Sequence, residues 1–223
     1  MPVIAVAGAC SRAGKTALAE AFLRALPPGQ ALALKFTTTA DVFQRCPRGA
    51  PCVVCDIDVP FRLVSESAIL DEPGTDTQRL ALAGARRVVW VIARASAVAP
   101  AWQAAARALD LPSRLAVLEG STIVEHARPE LTLFVVHPFL SHSRWKPTSQ
   151  RLIASADAVV VNLASSQTRG PSRDVMRAIE RARPRDLRIA DVTRGLHEWA
   201  PDLQARASAL LAAATPTSVP APA

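Results

Sequence analysis

The residues best suited by type and spacing to do chemistry are Gly8-Ala9-Cys10-Ser11-Arg12-Ala13-Gly14-Lys15-Thr16. A glycine-bearing loop that closes on Gly-Lys-Thr can hold phosphate groups. Gly14 lets the backbone come close to the anion, and the amides of residues 12 to 16 can point inward at a helix N-terminus. Lys15 can reach the β- and γ-phosphates, and the Thr16 hydroxyl can ligate Mg²⁺. Contacts to a nucleotide are therefore expected from Gly8, Ser11, Arg12, Ala13, Gly14, Lys15, Thr16 and Ala17, with Lys15 in a catalytic role. Five residues separate Gly8 from Gly14, one more than in the commonest phosphate loop.

Such a loop also needs a carboxylate near its metal ion. Glu119 follows the apolar run Leu115-Ala116-Val117-Leu118 and precedes Gly120. Its carboxylate is expected to emerge at a strand end and to act on Mg²⁺ directly or through water. Asp58 ranks behind it as a metal ligand, with Asp56 as a neighbour; a solvated charge is the competing reading for Glu119. Asn162 closes the run Ala158-Val159-Val160-Val161, where its amide can bond a purine edge or serve an ordinary turn. No Asn-Lys-x-Asp sequence is present, so ATP and GTP both stay open.

Three of the four cysteines, Cys46, Cys52 and Cys55, form a C-x5-C-x2-C pattern with Pro and Gly between them. Such thiolates can surround Zn²⁺ or an iron–sulfur cluster. A fourth zinc ligand would come from Cys10, His126, His137, His142, Asp56 or a second subunit. Redox pairing and three ordinary thiols are the other readings. His137 and His142 bracket a loop that continues into Arg144, Trp145 and Lys146. That loop either covers a bound anion or is simply a solvated basic segment.

The elements that must position these groups alternate along the chain. Strands are expected at 3–7, 31–36, 87–93, 115–118, 131–136, 158–161 and 187–192. Helices are expected at 17–26, from Thr75 or Asp76 to Gly84, at 97–109, from Ser121 as cap to Ala127, and at 148–155, 172–183 and 196–214. This order predicts an α/β fold of phosphate-loop NTPase architecture, with a mainly parallel sheet covered by helices on both faces. Ligands of such sheets bind at the carboxyl ends of the strands. The whole of 1–214 reads as one nucleotide-binding domain with a cysteine-bearing insertion at about 37–70. Residues 215–223 read as a disordered Pro-Ala-Thr-Ser tail.

Composition bounds the function. Lys and Arg number 26 against 19 Asp and Glu, for a formal charge of +7. Nearly all of the basic residues are arginine, which suits anionic ligands. Basic runs with interleaved aromatics are missing, which argues against nucleic acid. No apolar run approaches the ~20 residues of a membrane span. The first strand begins without a basic region or cleavage site, so a cytoplasmic protein is expected.

Three segments carry a family resemblance: the phosphate loop, Asp71-Glu72-Pro73-Gly74-Thr75-Asp76-Thr77-x-Arg79 with Ala83-Gly84-Ala85, and Leu118-Glu119-Gly120. In this order the chain resembles the molybdopterin-guanine dinucleotide biosynthesis B-type proteins over about residues 1 to 137. More widely it resembles the dethiobiotin and cobyrinate synthetase class, some of which share the five-residue loop gap. The resemblance implies a nucleotide and Mg²⁺ at Lys15 and Thr16, with Asp76 and Arg79 lining the adjacent groove. It also implies a role in molybdenum cofactor assembly beside a partner protein. The histidine of that family's second strand end is absent from Lys35-Phe36-Thr37-Thr38-Thr39, and the Cys46–Cys55 stretch lies outside the family pattern.

Three functions follow as expectations. The first is a Mg²⁺-dependent nucleotide-hydrolysing accessory protein of cofactor assembly with a metal at its cysteines. The second is an ATP-dependent small-molecule kinase or synthetase. The third is a non-catalytic, nucleotide-switched homodimeric scaffold.

Overall fold

The computed structural model describes residues 2–39, 58–109, 114–164 and 170–214. Eight strands form one sheet in the described residues: β1 (Val3–Gly8), β2 (Leu32–Thr39), β3 (Phe61–Val64), β4 (Val88–Arg94), β5 (Ala116–Glu119), β6 (Leu131–Val136), β7 (Ala158–Asn162) and β8 (Leu187–Ala190). Their order is β3-β4-β2-β5-β1-β6-β7-β8. Every pairing is parallel except β3 with β4. The expected α/β architecture with a mainly parallel sheet is what the chain adopts. No described helix is long and apolar enough to cross a membrane.

A parallel sheet is covered on both faces, so its central strands are apolar throughout. β1 is buried at every position. Its Ile4 and Val6 face one core, and its Val3, Ala5 and Ala7 face the other. The first core takes Leu18 and Phe22 of α1 (Lys15–Ala25), Leu80 of α3 (Asp76–Leu82), Leu196 of α8 (Leu196–Trp199) and Leu203 of α9 (Pro201–Ala214). Leu70 of the short α2 (Ser67–Leu70) joins them. The second core takes residues of α4 (Val98–Ala108), α5 (Val124–Ala127), α6 (Ser149–Ser155) and α7 (Arg173–Ala182).

Local chemistry sets the ends of these elements. Thr75 caps α3 by accepting from the Gln78 amide at 3.3 Å, and Ser172 caps α7 by accepting from Val175 at 3.3 Å. A capping hydroxyl satisfies one of the free N–H groups of the first turn. Gly84, at φ 102°, ends the α3 segment in left-handed backbone that suits glycine.

The structure differs from the sequence reading in five places. β2 runs on through Thr37, Thr38 and Thr39, which pair with Ile92, Ala93 and Arg94; threonine, being β-branched, extends a strand readily. β3 and α2 carry too little pattern to be seen. The expected 196–214 helix breaks at Ala200, because Pro201 disfavours helical backbone in the residue before it. β8 ends at Ala190, where Asp191 turns the chain by accepting from both the amide and the hydroxyl of Thr193. Ser121 does not cap α5; its cap position falls to Ile123, and the Ser121 hydroxyl serves the phosphate loop instead.

The far edge of the sheet gives a pH prediction. Arg188 on β8 forks onto both oxygens of Asp202 in the first turn of α9, at 2.8 and 2.6 Å. The Arg188 hydrogen bonds hold the Asp202 carboxyl down at about 2, against an ordinary 3.8. A depressed carboxylate stabilises the fold above its unfolded pKa and loses that stabilisation as pH falls through the folded value. Asp202 is largely exposed, so solvent screening leaves roughly 0.5–1 kcal/mol. Asp202→Asn should melt slightly lower than wild type at pH 7, with the gap closing between about pH 4 and 2. A constant gap in thermal melts across that range would rule out this ion pair as its cause.

Candidate functional site

The phosphate loop leaves the carboxyl end of β1 and turns into α1. Arg12, at φ 61°, and Gly14, at φ 101°, both take left-handed backbone. Such residues within a loop turn successive N–H groups to one side and create a concavity for an anion. Gly14 is the N-cap of α1 and, being glycine, caps it with no side-chain hydrogen bond. Ser11 and Arg12 are exposed, Ala13 is buried, and Ala17 is half-buried on the first turn of α1.

Neighbours brace this loop from below. The Ser121 hydroxyl accepts from Gly8 N at 3.0 Å and donates to Gly8 O at 3.1 Å. The Asn162 amide nitrogen donates to Ala13 O at 3.3 Å, while its oxygen accepts from the amides of Ala164 and Val192. Asn162 is thus tied to three backbone groups directly under Gly14. Gly8 gives room of another kind. A Cβ there would lie 2.8 Å from Cγ of Lys15, so the lysine stem passes over this glycine. Lys15 Nζ donates to Cys10 O at 3.0 Å.

Beyond Thr16 lies a network of charged groups. Thr16 Oγ1 donates to Glu119 Oε2 at 3.0 Å, and Glu119 Oε1 accepts from Lys35 Nζ at 3.0 Å. The same Lys35 ammonium bonds Asp76 at the start of α3. The sheet register explains the meeting, since Lys35 on β2 sits opposite Glu119 on β5. Glu119 is 3 % exposed. Burial works against the Lys35 charge, but Glu119 and Asp76 outweigh it and raise the lysine pKa. Asp76 is lowered: burial opposes its charge, and Lys35, Thr16 and Arg79 more than compensate. Lys15 is lowered, first by burial; Glu119 opposes this and the Lys35 charge adds to it.

This arrangement fits Mg²⁺. The Thr16 hydroxyl and the carboxylates of Glu119 and Asp76 are hard oxygen donors of the kind that ion takes, and they come from three different elements. Arg79 points elsewhere, donating to Glu20 of α1 at 2.6 Å. Asp58 is exposed in the bend before β3, three strands from Glu119 in the sheet order. No described contact joins it to Thr16.

Cys46, Cys52, Cys55 and Asp56 lie outside the described residues. Among the described residues, no three His, Cys, Asp or Glu side chains gather as a metal cage. Cys10 is buried in the phosphate loop. His137 Nδ1 accepts from the amides of Phe139 and Leu140. His142 Nδ1 lies 2.9 Å from Asp174 of α7. His126 lines a cleft of about 210 Å³ on the second face of the sheet, with Thr38, Ser121, Thr122, Glu125 and Thr148.

Two participants, Lys35 and Ser121, were given no ligand role in the sequence reading, and Lys146 was named only as part of a loop that either covers an anion or is solvated. Lys35 had a signal, a charge set between the apolar run Ala31-Leu32-Ala33-Leu34 and Phe36. Ser121 had none beyond its place after a strand. Lys146 reads as loop, yet its amide donates to Ala9 O at 2.8 Å, and the Ser149 hydroxyl reaches the same oxygen at 3.5 Å.

The fold is an α/β one with a mostly parallel eight-stranded sheet, consistent with a phosphate-loop NTPase-like architecture. No family model matches the chain, and no curated protein matches it.

Proposed function

We propose that this chain binds a Mg²⁺-nucleoside triphosphate in the loop 8–16 and hydrolyses it as an accessory protein of cofactor assembly. One observation carries the nucleotide reading. Thr16, Glu119, Asp76 and Lys35 form a continuous hydrogen-bonded network at the first turn of the helix that follows the loop. Thr16 and Glu119, with Asp76 beside them, would hold the metal. When bound, Mg²⁺ neutralises charge on the β- and γ-phosphates. Lys15 holds the terminal phosphates, and Gly14, braced by Asn162, keeps the amides of the loop in place. Lys35 bridges the two carboxylates and offsets their mutual repulsion.

The link to cofactor assembly, and to molybdenum in particular, is supported by the motif resemblance around Pro73-Gly74-Thr75-Asp76 and Arg79. A metal or iron–sulfur centre on Cys46, Cys52 and Cys55 belongs to the same proposal. A kinase or synthetase is the second reading. It is favoured by the half-buried Lys35 ammonium, which can also meet an acidic acceptor. A hydrolysis assay with ATP and GTP separates them. Slow turnover without an acceptor supports the accessory role. Turnover that requires a small acidic acceptor supports the synthetase, and no turnover or binding of either nucleotide contradicts both.

A further inference from the structure

The chain contains 23 arginines and three lysines, Lys15, Lys35 and Lys146. Almost everywhere it supplies positive charge as a guanidinium. All three ammonium groups gather at the phosphate loop, where each lies within electrostatic reach of the other two. An ammonium is a compact point charge with three donors, whereas a guanidinium is a wide planar fork. A cramped cradle of backbone amides admits the first more easily.

Two of the three lysines have partners. Lys15 bonds Cys10 O, and Lys35 bonds Glu119 and Asp76. Among the described residues the Lys146 ammonium has neither a hydrogen bond nor an ion pair. It is nevertheless fixed in place. The Lys146 amide donates to Ala9 O, and the Ser149 amide closes a turn back onto Lys146 O at 2.9 Å. The preceding turn is anchored to α7, where Asp174 accepts from the Ser141 hydroxyl and the His142 amide. Much of Lys146 is exposed, yet burial by the loop pushes its ammonium pKa down, and repulsion from Lys15 pushes it further. A lone cation held against another cation by backbone bonds calls for an anion between them.

We propose that Lys146 is a second ammonium contact to the terminal phosphate of the bound nucleoside triphosphate, opposite Lys15. This rests on the nucleotide reading above. The terminal phosphate is the one indicated because Lys146 is anchored on Ala9 O, next to the glycine over which the Lys15 stem passes. Lys146 thus provides within one chain the finger-like charge that some phosphate-loop proteins receive from a partner.

The test is calorimetric titration of wild type, Lys146→Ala, Lys146→Arg and Lys15→Ala. Each is titrated with a Mg²⁺-bound non-hydrolysable triphosphate and with the Mg²⁺-bound diphosphate. Lys146→Ala should lose roughly tenfold or more in triphosphate affinity, as expected for a charge-assisted bond, with diphosphate affinity unchanged. Lys146→Arg should recover part of the loss. An equal loss for both nucleotides would reduce Lys146 to a loop support and overturn the proposal. So would wild-type triphosphate affinity in Lys146→Ala while Lys15→Ala binds weakly; in that case the nucleotide reading survives. No binding by wild type would remove both.

Discussion

Gly14→Ala should unfold at markedly lower denaturant concentration than wild type. Its backbone sits at φ 101°, in a region that costs a residue with a Cβ roughly 1–2 kcal/mol. The new methyl would also lie 2.1 Å from Asn162 Nδ2. Asn162 cannot simply swing aside, because its amide holds Ala13, Ala164 and Val192. Moving it gives up hydrogen bonds worth about 1 kcal/mol each. The combined loss should be roughly 2–4 kcal/mol, large against the stability of an ordinary domain. Asn162→Ala removes both the obstacle and the brace. The double variant should therefore lose less than the two single losses together, which is the mark of coupled neighbours. Additive losses in urea unfolding would mean that Gly14 and Asn162 do not meet as described.

Glu119→Gln should leave the fold and nucleotide binding largely intact and lower hydrolysis roughly 10- to 100-fold. The amide keeps the side chain's shape and can still accept from Thr16. It surrenders the negative charge that Lys35 faces and that a bound Mg²⁺ would face. Lys35 retains Asp76, so its ammonium is not stranded, and the thermal midpoint should move little. Glu119→Ala is the harsher change, since it removes one of two carboxylates from a lysine that is 17 % exposed. Breaking a buried pair from one side is strongly destabilising. Wild-type turnover in Glu119→Gln would move the metal role to Asp76.

The placement of the candidate site was legible where one local pattern carries it. A strand, a glycine-bearing loop, Gly-Lys-Thr and a helix define the phosphate loop, because all its donors come from consecutive residues. Glu119 was legible because a carboxylate after four apolar strand residues must emerge at the ligand edge. Lys35 was harder to read. Its meaning lies in its register opposite Glu119, and register between β2 and β5 is set by the whole sheet. Ser121 looked like a helix cap, since a serine before a helical stretch usually is one. Its burial beside Gly8 gave the hydroxyl nearer partners. Lys146 was legible only as part of a basic loop able to cover an anion; its anchoring was not, because the turn at Leu140–Ser149 meets Ala9 only once β6 lies beside β1. The fold was readable for the same reason as the loop. Buried parallel strands are short apolar runs, and the two elements that went unseen, β3 and α2, are only four residues each.

The central claim is that Lys15 and its loop hold a Mg²⁺-nucleotide. The most direct measurement is calorimetric titration of wild type and Lys15→Ala with ATP and with GTP in the presence of Mg²⁺, with circular dichroism to confirm the fold of each. Lys15 is half-buried, but its ammonium bonds only Cys10 O among the described residues, so its truncation should leave the fold intact. Wild type should bind at least one of the two nucleotides. Lys15→Ala should bind it more weakly by ~1.5–3 kcal/mol, the worth of a hydrogen bond to a charged group. Equal affinity in the two folded proteins would contradict the account.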